Sequence, residues 1–170
     1  MAEYLLYLWQ IEDLLRAYGV DFERLKKDFL SQYSGLTAEQ QKEFEDWYED
    51  LINMMHRENV VEKGHLQISK NVLQTLAELH NNLINSGKFS NYRIVYTSAL
   101  PSIVTLRAKN GNTEEPELET CFNFLYGVML LRLQKKSVSD ETNTALKNIS
   151  AFLGMLSDYY YKDKENPLDF

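Results

Sequence analysis

A chain of 170 residues is long enough to bury roughly 70% of its unfolded surface, most simply as one domain. Its 18 Lys and Arg against 25 Asp and Glu leave a net charge of −7, which disfavours nucleic acid and anionic membranes, because both demand a basic footprint. Seven Gly and three Pro are few for a turn-rich β fold, and a lone cysteine excludes an internal disulfide and fits the cytoplasm.

Residues 1–10 lack the basic start and small-residue cleavage site of a signal peptide. Helical periodicity runs from Tyr4 with no cap before it, so a natural chain is expected to continue upstream. Over 3–18 the spacing predicts a helix with Tyr4, Leu8, Ile11, Leu14, Leu15 and Tyr18 inward and Gly19 as terminator. A second flank carries Leu5, Trp9, Glu12 and Arg16. There Glu12 and Arg16 are spaced to pair, and Trp9 suggests partial burial. Asp21 can cap a short segment reaching Tyr33.

Thr37 followed by Gln40 reads as a capping box for a helix to about Glu58. Its stripe is Phe44, Trp47, Tyr48, Leu51, Met54 and Met55, foremost a core face and secondarily a surface for a partner. After a joint at 59–64, the helix over 65–84 presents Ile68, Val72, Leu76, Leu79 and Leu83, with His80 on the apolar side. The next, over 90–109, turns Tyr92, Tyr96, Ala99, Ile103 and Leu106 inward and Pro101 toward water.

Asn110-Gly111 is a turn, and Thr113 to Pro116 an acidic, capped entry to the most apolar stretch, ELETCFNFLYGVMLLRLQ. Its apolar residues cover most of the helical circumference, while Glu117, Glu119 and Arg132 interrupt it too often for a membrane span of ~20 residues. The expectation is a central apolar helix over about 114–135, with Cys121 a buried thiol and a narrow polar strip at Glu119, Asn123, Gly127 and Gln134. Ser139 caps a last helix to about Tyr161, and 162–170 reads as a polar tail that frays. The fold class is thus all-α: a single-domain bundle of six or seven helices, with residues 1–161 as the domain.

Site chemistry is sparse. His65 and His80 would lie ~22 Å apart on one helix, too far to share an ion. Glu62 and His65 have one Glu-x-x-His spacing where a di-metal bundle needs two. Nucleophile elbows, phosphate loops and dinucleotide motifs are absent from the sequence, so no metal, cofactor or catalytic residue is assigned. The less ordinary residues are Arg107 and Arg132, which the helical wheel puts on core faces. A buried guanidinium needs an acid, carbonyls or a bound anion. Glu12, Glu78, Glu119 and Glu141 are its candidate partners. An internal salt bridge is the plainer account; the functional one is an anion or small-molecule pocket built from Arg107, Arg132, Tyr92, Tyr96, His80 and Glu12.

The blocks AEYLLYLWQIEDLLRAYG, WYEDLINMM, EKGHLQI, LPSIVTLR and CFNFLYGVMLLRLQ together resemble an uncharacterised family of small bacterial proteins, known only as a domain of unknown function. The resemblance covers essentially the whole chain. It implies an all-helical single domain with a short N-terminal lead and supplies no reaction or ligand. The expected function is a non-enzymatic cytoplasmic interaction or scaffold module, self-associating or bound to a protein partner. Its candidate surfaces are the helix over 37–58 and the polar strip. The alternatives are the pocket above and, more remotely, a metal-dependent hydrolase.

Overall fold

The structure, a computed structural model, describes residues 1–111 and 114–170, and every regular element in them is helical. Seven α-helices follow in order: α1 Ala2–Ala17, α2 Phe22–Asp28, α3 Ala38–Arg57, α4 Gln67–Asn85, α5 Ser90–Asn110, α6 Glu117–Leu133 and α7 Asp140–Glu165. A 3₁₀ turn, Leu30–Gln32, follows α2. Among the described residues no helix is long and apolar enough to cross a membrane.

Local chemistry sets most helix ends. Asp21 accepts the Arg24 N–H at 2.8 Å, Ser139 accepts the Thr142 N–H at 3.1 Å, and Thr37 and Gln40 form the expected reciprocal box. Three C-termini close by one motif, in which a residue of positive φ lets the next N–H reach back to the helix. Gly19 (φ 74°) does this for α1, Asn59 (φ 56°) for α3 and Lys135 (φ 56°) for α6. The returning N–H groups are those of Val20 to Leu15, Val60 to Met55 and Lys136 to Leu131, at 2.8, 3.0 and 2.9 Å. The expected cap at Thr113 lies outside the described residues.

Contacts divide the chain into two compact units, residues 7–71 and residues 1–6 with 72–170. In the first, Ile11 and Leu15 of α1, Leu25, Leu30, four residues of α3 (Tyr48, Leu51, Ile52, Met55), Val60 and Leu66 form one core. Phe44 packs edge-on to Tyr48 with ring centres 5.1 Å apart, and burial pushes the Tyr48 phenol up to about 12. Trp47, expected in this core, stays 37% exposed, and Ile52 is buried in the stripe instead.

In the second unit α5 and α7 make the most extensive helix pair, and α6 packs on both. Tyr92, Ile103, Phe122, Ile149 and Phe152 are fully enclosed. Pro101 faces solvent as expected, and its carbonyl accepts the Thr105 hydroxyl at 2.9 Å. The start of α1 is tied to α7: the Met1 ammonium donates to the Tyr161 hydroxyl at 3.0 Å and the Ala2 N–H to Ser157 Oγ at 2.9 Å.

Three sequence expectations need correction. Tyr4 faces solvent, whereas Leu5 and Trp9, on the flank opposed to it, are buried. Both sides of α1 are apolar, and the phenol is the group that tolerates water. Helix α7 continues past Tyr161 to Glu165, and the tail is anchored. Lys88 pairs with Asp169 at 2.7 Å, and Phe170 meets Phe89 at 5.9 Å. Finally, α6 is enclosed at one end only. Leu118, Thr120, Cys121 and Phe122 are buried, but beyond them only Val128 is, and Leu131 and Leu133 are 36% and 70% exposed. Apolar residues on every side of a wheel record an appetite for burial, not how much of it this chain satisfies.

Candidate functional site

Four of the six candidate binding residues come together in the second unit. His80 lies on α4 with its Nδ1 2.7 Å from the Tyr92 hydroxyl, and its ring is edge-on to Tyr96 at 4.9 Å and Phe152 at 5.4 Å. Burial lowers the imidazole from its ordinary value of 6.5, partly opposed by the Glu117 charge. Burial also raises the Tyr92 and Tyr96 phenols, the latter further through its bond to Glu117. Both phenols keep their protons as donors.

The Tyr96 hydroxyl donates to Glu117 Oε2 at 2.6 Å, and Arg107 Nη1 stands 3.8 Å from Glu117 Oε1. Arg107 Nη2 donates to the Glu115 carbonyl. The Glu115 carboxylate in turn accepts from Thr120 Oγ1 at 2.7 Å and Asn123 Nδ2 at 3.0 Å. Two carboxylates thus sit at the N-terminus of α6, where the exposed N–H groups favour negative charge. The network fastens the end of α5 to the start of α6, and its donors and acceptors are spent largely on one another.

Arg132 does not join it. Fifteen residues along α6 from Glu117, it lies ~22 Å from that network and is exposed rather than on a covered face. It rims a shallow cleft of about 420 Å³ with Leu6, Leu125, Met129, Leu133 and Leu146. Glu12 belongs to the other unit. It is buried, and its Oε1 accepts the Leu66 N–H at 3.1 Å and the Ser69 hydroxyl at 2.7 Å, while Oε2 faces His65 Nδ1 at 2.6 Å. The His65 ring stacks on Trp9 at 4.2 Å and 14°. Arg16, the expected partner of Glu12, instead pairs with Asp13 at 2.9 Å and donates to the Val60 and Gly64 carbonyls. A carboxylate fixing one imidazole nitrogen is an orienting arrangement. Here the same carboxylate also caps α4. No group of three or more His, Cys, Asp or Glu among the described residues is arranged to hold a metal ion.

The sequence singles out neither Ser69 nor Glu115 as a site residue, and it gives His65 and Glu117 no bonding role of the kind seen here. One signal existed: Leu66, ahead of α4, is no capping residue, so the helix needs an acceptor from elsewhere. Of the acids nominated for arginines, Glu141 pairs with Lys109 at 2.8 Å and Glu78 accepts from Gln74.

The remaining feature is the surface of α6. Its strip holds Asn123 and Gln134 exposed and Glu119 and Gly127 half-buried, and a cleft of about 560 Å³ runs along Asn123, Gly127, Leu130, Leu131 and Gln134. A Cβ at Gly127 would meet nothing within 4 Å, so no packing among the described residues requires glycine there. Comparison with curated proteins and with solved structures gives no match. The profile of a family described as "Domain of unknown function (DUF4924)" matches residues 1–167, and the chain belongs to that family.

Proposed function

We propose that this protein is a non-enzymatic interaction module that docks a protein partner along the C-terminal half of α6. One observation carries the reading: a helix apolar on nearly every side is covered over its first half and leaves Leu131 and Leu133 in solvent over its second. Clefts flank that half on both sides. Apolar area concentrated on one helix, rimmed by polar residues, is the character of a docking face. Glycine in mid-helix costs about 1 kcal/mol relative to alanine, which an approaching backbone offsets. The pocket reading loses support because Arg107 is held by Glu115 and Glu117. The single cysteine supports a cytoplasmic setting and the resemblance of its sequence blocks a bacterial source.

A photo-crosslinking amino acid at Leu131, with a control at exposed Glu43, tests this in the cells that make the protein. A discrete protein adduct from position 131 and none from 43 is expected. Equal or absent adducts at both would overturn the reading.

A further inference from the structure

We propose that the partner on α6 is a second copy of this chain, packed antiparallel with a two-fold axis at Gly127; this rests on the docking reading above. The argument is the charge order along the helix. Its N-terminal end carries Glu114 and Glu119, its C-terminal end Arg132, Lys135 and Lys136, and none of these five is in an ion pair among the described residues. Unlike Glu115 and Glu117, these acids bond to no other side chain among the described residues.

A two-fold interface pairs each position with the one equally far on the other side of the axis. About Gly127, Glu119 lies eight residues before and Lys135, in the turn just past the helix end, eight after, so each acidic end comes beside a basic end of the other copy. Leu130 and Leu131 bring apolar surface beside the axis, where Gly127 lets the backbones approach. Helix dipoles then also run in opposition, the favourable sense. Parallel packing would set acid on acid and base on base.

Sedimentation equilibrium on the whole chain tests the proposal. The wild type is expected at twice the 19.9 kDa chain mass, and Leu131→Glu at the single mass with helicity retained. Glu119→Lys alone and Lys135→Glu alone should each weaken the dimer by roughly 3- to 10-fold, and an equimolar mixture of the two should restore it. That rescue in trans is particular to the antiparallel pairing. A monomeric wild type overturns the second copy, as does a crosslink from position 131 to a different protein, and in the latter case the docking face stands. A dimer indifferent to Leu131→Glu places the contact elsewhere and overturns the proposal. If no adduct forms at position 131 either, the docking reading falls with it.

Discussion

Glu12 and His65, 53 residues apart in the chain, meet at 2.6 Å between Oε2 and Nδ1, while the other oxygen of the same carboxylate caps α4. Three donors converge on one acid that is 1% exposed. Glu12→Ala strands the Leu66 N–H and the Ser69 hydroxyl and is expected to cost about 3–5 kcal/mol. Glu12→Gln keeps one acceptor oxygen and should cost less, about 1–2 kcal/mol. Urea denaturation of both variants checks this; equal losses would mean that the acceptor oxygen retained by Gln contributes nothing and that the carboxylate charge decides stability here.

The His80–Tyr92 pair makes stability depend on pH. With the folded imidazole below its ordinary 6.5, the unfolded chain binds a proton at His80 that the folded chain refuses. This contribution is therefore whole above the unfolded value and is lost as pH falls toward the folded one. Denaturation midpoints should drop as pH falls through and below the ordinary 6.5, and His80→Gln, though less stable at neutral pH, should show a shallower dependence. An unchanged slope in that variant would count against a neutral, buried imidazole.

Cys121 is enclosed, and burial, reinforced by the charge of Glu117 and opposed by Arg107, pushes its thiol up to about 12. Since the thiolate is the nucleophile, a chromogenic disulfide reagent should label the folded protein only as fast as it opens. Labelling is expected to accelerate with urea. Immediate stoichiometric labelling in native buffer would show the thiol accessible.

At the start of α3, Thr37 and Gln40 bond reciprocally at 3.0 and 3.2 Å. Thr37→Ala should cost about 1 kcal/mol by thermal melting. Adding Gln40→Ala should cost less than its own single effect, because the two bonds share one cap. Simple additivity would argue that the box is not cooperative.

What could be read from sequence was what local chemistry determines. Thr37, Asp21, Ser139 and Gly19 announce helix ends because their partners lie within a few residues. The joining of Glu12 to His65 and Ser69, and of Arg107 to Glu115 and Glu117, depends on where separate helices settle, which periodicity does not encode. His80, Tyr92, Tyr96 and Arg107 were nominated together because each is polar matter on an apolar face; their fastening through Glu117 was not visible. Tyr4 and Leu5 mark the same limit on α1: when both faces are apolar, a wheel cannot choose between them. On α6 it could not show that Leu131 and Leu133 lack a cover.

The hydrogen bonds from Met1 and Ala2 to Tyr161 and Ser157 link residues 160 and 155 positions apart. A ribosome releases the chain from its first residue onward, and domains tend to fold as their segments emerge. Residues 7–71 have every part of their own core in hand once that stretch is out. Residues 1–6 must wait until α7, at Asp140–Glu165, has been made to receive them.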